Sequence, residues 1–160
     1  MAISFPTNPA TGDTTFTGGR SWMYDGERWS AVSFYADDFT MMLAVTDENS
    51  DLFTGTTKIS FRSPFSFQIY KIPRIYVGTA GTGSVTTVDV KVSGTSIFGS
   101  GAKLTIDPGE KTSTTAATAA GPISLMNTVI ADDSEITVDI TTVSTGAKGL
   151  KLVLYLRRTS

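Results

Sequence analysis

The chain contains no cysteine and no histidine. Without cysteine there are no disulfide staples, no thiol nucleophile and no thiolate metal site, so stability has to come from packing or from partner chains. Without histidine the commonest general base and the commonest metal ligand are missing, and the usual catalytic triads go with them. Charge is sparse as well. Thirteen basic and fifteen acidic residues leave a net charge of -2, which gives no electrostatic reason to expect nucleic acid as a partner, since phosphate binding needs clustered Lys and Arg. The only dense basic spot is Arg157-Arg158. No apolar run approaches the roughly 18 residues of a spanning helix, and MAISFPTNPA has neither the basic nor the apolar region of a secretion signal. The expectation is a protein made in a cytoplasm, with no membrane span.

What is present favours strands. Fifteen glycines, abundant threonine, and Val, Ile, Leu and Phe in short runs suit pleated sheets with tight turns. Period-2 alternation recurs from Thr56 onward. Ile59 and Phe61 share a side, Val88, Val90 and Val92 alternate with Asp89 and Lys91, and Ile136, Val138 and Ile140 alternate with Thr137 and Asp139. The final strand puts Leu150, Leu152, Leu154 and Leu156 on one face. The turn-rich stretches GTAGTGS, SGTS, IDPGEK and STGAKG separate these runs. Seven to nine strands at this spacing predict an all-β fold, an antiparallel β-sandwich of jelly-roll-like or Ig-like type. TSTTAATAAG, Thr112 to Gly121, reads as a long surface loop or as a segment packed against another subunit.

The N-terminal region differs. FPTNPATGDTT carries two prolines and reads as an extended lead-in. GGRSWMYDGERW then reads as a hairpin turning at Asp25-Gly26, with Trp22 opposite Trp29. That places Trp22, Tyr24, Trp29 and Ala31 on one aromatic face. Such a face is either an exposed platform for a sugar ring or partner protein, or a miniature core. The acidic, polar run Thr46 to Asp51 reads as part of a linker. The expected organisation is therefore a hairpin module over residues 1–35, a linker over 36–55 and a β-sandwich over 56–160.

Chemistry-bearing clusters are few. Carboxylates gather at Asp37-Asp38, at Asp47-Glu48 with Asp51, and at Asp132-Asp133 with Glu135. The last group is a weak candidate for Ca²⁺, which takes several oxygen ligands, though Asp-Asp before a strand is also an ordinary solvated turn. GTAGTGS lacks the lysine of a phosphate loop and no helix-forming segment follows it, so it reads as a flexible loop. No catalytic residue and no cofactor are expected.

FPTNPATGDTTFTGGRSWMYDGERW resembles a short module that recurs in tailed-bacteriophage tail-fibre and other virion structural proteins. There a Pro-rich lead, a Gly-Asp or Gly-Gln, an aromatic strand and a W-x-x-D/N-G-x-x-W hairpin follow in order. The matching residues are Pro6, Pro9, Gly12, Phe16, Gly19, Trp22, Asp25, Gly26 and Trp29. The later stretches TGTTKISFRSPFSFQI, TSIFGSGAKLTIDPGEKTSTTAAT, ADDSEITVDI and AKGLKLVLYL look like a β-rich domain of phage and prophage structural proteins. The resemblance implies a part of the virion exterior, attached through the module by Trp22, Tyr24, Trp29 and Phe16, with the β-domain displayed outward. It brings no catalytic residues. The leading expectation is a homotrimeric fibre or fibre-like component of the tail or baseplate, partnered by other virion proteins, with host-surface glycan as a candidate ligand. The alternatives are a capsid decoration (cement) protein on the major capsid protein, and a carbohydrate-binding sandwich with the tryptophans as its platform.

Overall fold

The computed structural model describes residues 4–32, 38–117 and 124–159. The chain forms two compact units, Met1–Asp37 and Asp38–Ser160. In the first, β1 (Thr14–Thr17), β2 (Arg20–Tyr24) and β3 (Trp29–Val32) form an antiparallel meander. The hairpin module is thus three-stranded, with the end of the lead-in as its third strand.

The second unit contains β4 (Asp38–Ala44), β5 (Gly55–Arg62), β6 (Phe67–Tyr76), β7 (Thr86–Val92), β8 (Thr95–Ser96), β9 (Leu104–Ile106), β10 (Val129–Ile130), β11 (Glu135–Thr142) and β12 (Lys151–Arg158). Its four-stranded sheet runs β10-β6-β12-β4, and its five-stranded sheet runs β5-β11-β7-β8 with β9 also paired to β7. Successive strands alternate between the sheets except through β7, β8 and β9. Taking β8 and β9 together as one interrupted strand, this order is that of the eight-stranded jelly roll, and not the order of an Ig domain. The all-β sandwich expectation holds, and its jelly-roll form is the one adopted.

Alternation builds the core. Val88, Val90 and Val92 face Ile136, Val138 and Ile140 across the β7–β11 ladder, and all six are buried. Leu150, Leu152, Leu154 and Leu156 are likewise buried, with Phe67, Ile69 and Ile75 of β6. Each such side chain removed from water contributes roughly 1.5–3 kcal/mol.

The linker expectation over residues 36–55 does not survive. Residues 36 and 37 lie outside the described residues, but β4 pairs with β12 from Asp38↔Arg157 to Ala44↔Lys151. The acidic run after it is a fastened loop. The Asp47 carboxylate accepts the backbone N–H groups of Asn49 (2.8 Å) and Ser50 (2.7 Å), which also holds its pKa below the ordinary carboxylate value. Asp51 pairs with Lys148 at 3.3 Å, Glu48 pairs with Lys151, and the Leu52 N–H donates to the Ala147 carbonyl at 2.8 Å. Gly149 makes room for this clasp. Its φ of +68° is left-handed, and a Cβ there would run into the Glu48 carboxylate. Acidic composition suggested a solvated tether because the cations that neutralise it lie about a hundred residues further along the chain.

GTAGTGS is also more ordered than its glycines suggest. Thr82 and Thr145 exchange both backbone hydrogen bonds at 2.9 Å, and the Gly78 N–H donates to the Lys148 carbonyl at 2.8 Å. In the Thr112–Gly121 stretch, Thr112 bridges Tyr76 and the Ser113 N–H donates to the Ile75 carbonyl at 3.0 Å. Residues 118–121 of that stretch lie outside the described residues. Among the described residues, no helix is long and apolar enough to cross a membrane.

Candidate functional site

The aromatic face forms through a register two residues away from the expected one. Tyr24 stands opposite Trp29, Met23 opposite Ser30 and Trp22 opposite Ala31. The cause is Asp25. Its carboxylate accepts the N–H groups of Glu27 (2.9 Å) and Arg28 (2.8 Å), and its own N–H donates to the Arg28 carbonyl at 3.1 Å. That closes a four-residue loop, Asp25 to Arg28, in place of a two-residue turn. Gly26, at φ +105°, supplies the left-handed step. The Arg28 and Glu27 backbone N–H groups hold the Asp25 carboxyl below its usual pKa. Because the slip is an even number, the face is unchanged. Trp22, Tyr24, Trp29 and Ala31 still point the same way.

This face is closed from within its own unit. The Phe5 ring stacks on Trp29 at 5.4 Å with planes 9° apart, and meets Trp22 edge-on at 5.2 Å. Tyr24 lies 5.6 Å from Trp29, and the Trp22 indole N–H donates to the Thr17 carbonyl at 3.1 Å. Offset and edge-to-face contacts of this kind are the favourable aromatic geometries. Both tryptophans are half-buried, so they form a miniature core rather than an open platform. Phe16 is not part of it. Opposite Ser21, it projects from the other face of the sheet beside Met23, 70% exposed.

The Asp132, Asp133 and Glu135 candidate does not assemble. Asp133 pairs with Arg62 at 3.2 Å, Glu135 accepts the Ser60 hydroxyl at 2.9 Å, and the Asp132 N–H donates to Ser66 Oγ at 3.2 Å. Among the described residues no group of three or more His, Cys, Asp or Glu side chains is placed to hold a metal ion.

Sequence reasoning missed a polar network on the outer face of the five-stranded sheet. Asp89 and Asp139 stand directly opposite each other on β7 and β11, only 2% and 3% exposed. Like charges so placed repel, and each is answered by its own lysine. Lys91 Nζ lies 2.6 Å from Asp139, and Lys103 Nζ lies 3.1 Å from Asp89. The Thr57 N–H donates to Asp139 at 2.7 Å and the Ser96 hydroxyl to Asp89 at 2.6 Å. Burial pushes the Asp139 carboxyl up, but the Lys91 and Thr57 hydrogen bonds outweigh it and hold the pKa below the ordinary value. The Asp139 hydrogen bond in turn raises Lys91.

A cleft of about 380 Å³ adjoins this network, with Ser84, Thr87, Lys103, Thr105 and Thr142 in its wall. Thr142 Oγ donates to the Val85 carbonyl at 2.7 Å and lies 2.8 Å from Thr87 Oγ, whereas the buried Thr105 hydroxyl has no hydrogen-bond partner among the described residues. The wall offers hydroxyl donors and acceptors around internally cancelled charges, an arrangement suited to hydrogen-bonding a neutral hydroxylated ligand. The signal in sequence was Asp-x-Lys on β7 with one Asp on β11, but only the register makes them neighbours.

Comparison with models of known protein families finds no match, and comparison with curated proteins finds none either.

Proposed function

We propose that this chain is a non-enzymatic structural protein of a tailed-bacteriophage virion, a homotrimeric fibre or fibre-like component of the tail or baseplate. Residues 1–37 attach it to the particle and the jelly roll faces host or solvent. The observation that carries this reading is the N-terminal unit. The stretch that resembles the virion module, Phe5 to Trp29, closes its own aromatic core and leaves Phe16 and Met23 exposed on the opposite side. Such a module closes its own small core while presenting apolar atoms to a partner.

Further support comes from the sandwich. Jelly rolls serve in viral capsid and lectin domains, a likeness of fold and not an assignment of role. The closed aromatic core weighs against the tryptophans as an open sugar platform.

The test is incorporation. Wild-type and Trp22→Ala/Trp29→Ala chains, expressed together in equal amounts, are counted by mass spectrometry in purified particles. The double variant, which loses the core of the module, is expected to be depleted at least roughly tenfold. Equal incorporation of both chains overturns attachment through the module.

A further inference from the structure

Strand β6 is longer than its neighbour requires. Between Lys151↔Tyr76 and Arg158↔Phe67 it carries two more residues than β12, taken up in two register shifts around Tyr155. Pro73 lies in this irregular stretch, where its missing N–H costs the ladder nothing. Bulges re-aim side chains. Here they bring both Lys71 and Arg74 over the ring of Tyr155, at 4.9 and 5.8 Å from its centre.

Two neighbouring cations on the same sheet are neutralised. Arg157 holds Asp38 through two hydrogen bonds of 2.7 and 3.1 Å, and Lys151 holds Glu48. Lys71 and Arg74 have no carboxylate within ion-pairing distance among the described residues, and the Arg74 guanidinium hydrogen-bonds the Tyr76 hydroxyl instead, which raises its pKa. Two cations sharing one ring repel each other, in a chain whose net charge is negative. Beside them lies a second cavity of about 240 Å³, bordered by Lys71, Ile72, Pro73, Arg74, Ser113 and Thr114. Ile72 is 41% exposed. Ser113 Oγ accepts the Ile75 N–H at 3.1 Å, so its proton is free to be donated. The volume lies below the roughly 300–1,000 Å³ of clefts for drug-sized ligands and leaves room only for a small one.

We propose that this cavity binds one carboxylate-bearing sugar residue of an acidic polysaccharide. The carboxylate sits between Lys71 and Arg74, the C–H face of the pyranose lies on the exposed Ile72, and ring hydroxyls meet Ser113 and Thr114. Its meaning as receptor recognition rests on the outward placement of the sandwich proposed above, but the binding itself is read on the purified chain. Failure here therefore leaves the particle result standing, and the reverse also holds.

Titration of the intact chain with trigalacturonate at low salt is the experiment. Binding is expected, weakened at least roughly tenfold in Lys71→Ala/Arg74→Ala, retained in the charge-preserving Lys71→Arg/Arg74→Lys, and unaffected by Arg62→Ala. Neutral galactotriose is expected not to bind. Absence of trigalacturonate binding overturns the proposal, as does binding indifferent to the double alanine variant. Displacement by an equal concentration of inorganic sulfate overturns the sugar assignment and leaves a simple anion site. If sedimentation shows a wild-type oligomer that the double alanine variant dissociates, the face joins copies of the chain and the proposal also falls.

Discussion

Replacing Trp29 with Ala is expected to unfold the N-terminal unit and leave the jelly roll intact. Trp29 stacks on Phe5 and touches Tyr24, and Phe5 is also the partner of Trp22. Truncating a buried aromatic side chain to Ala costs about 3–5 kcal/mol, and a half-buried one falls at the lower end. A unit of this size is below the roughly 40 residues under which a domain without disulfides or metals seldom has stability to spare. The chain supplies its own reporter, because both tryptophans lie in this unit. In Trp29→Ala the remaining Trp22 emission is expected to shift red and lose its cooperative melt, while the far-ultraviolet melt of the sandwich stays where it was. A Trp22 transition within a few degrees of wild type would show that Phe5 packing does not hold the unit together.

Removal of Asp139 is expected to be the most damaging single change on the polar side of the sandwich. In Asp139→Ala the Lys91 ammonium loses its partner at 2.6 Å and the Thr57 N–H loses its acceptor. Breaking a buried pair by deleting one member costs about 3–5 kcal/mol. Lys91 is partly exposed, so about 3 kcal/mol and a fall of about 10 °C in Tm are expected. Asp139→Asn keeps an acceptor for Thr57 and should cost less.

The pH dependence follows from the two shifts. Asp139 has a folded pKa below its ordinary 3.8, so its contribution is complete above that value and is lost as pH falls through the folded value. Lys91 is raised above its ordinary 10.5, so its contribution is complete below that value and is lost as pH rises through the folded value. The stability gap between wild type and Asp139→Asn should be constant across neutral pH and shrink as acid protonates Asp139. A gap as large at pH 3 as at pH 7, read from urea titrations, would mean that the charge on Asp139 contributes nothing.

The readable parts of this molecule were the local ones. Alternation on β12 and β7 marked Leu150 to Leu156 and Val88 to Val92 as core. The aromatic face of β2 and β3 was legible even though its register was not, because an even slip preserves parity. The slip itself came from the Asp25 carboxylate capturing two N–H groups, which displaced the two-residue turn that Asp-Gly favours. Features made by distant residues were illegible. β4 has Met41, Met42 and Leu43 in a row, a mixed pattern that takes its meaning from pairing with β12 over a hundred residues later. Asp89 and Asp139 looked like solvent-facing members of alternating strands, and only the β7–β11 register shows two buried acids that need two lysines. Lys71 and Arg74 share a ring through bulges that no turn residue announces.

The proposal to be tested first is that this chain is an exterior part of a phage particle, held by its N-terminal unit. Gold-labelled antibody against the jelly roll, applied to intact phage particles produced by cells that encode this chain, tests it most directly. Label at the tail tip or baseplate is the expected result. Label spread over the head would replace the fibre reading with a capsid decoration protein, and particles that carry no label and no copies of the chain would contradict the virion role altogether.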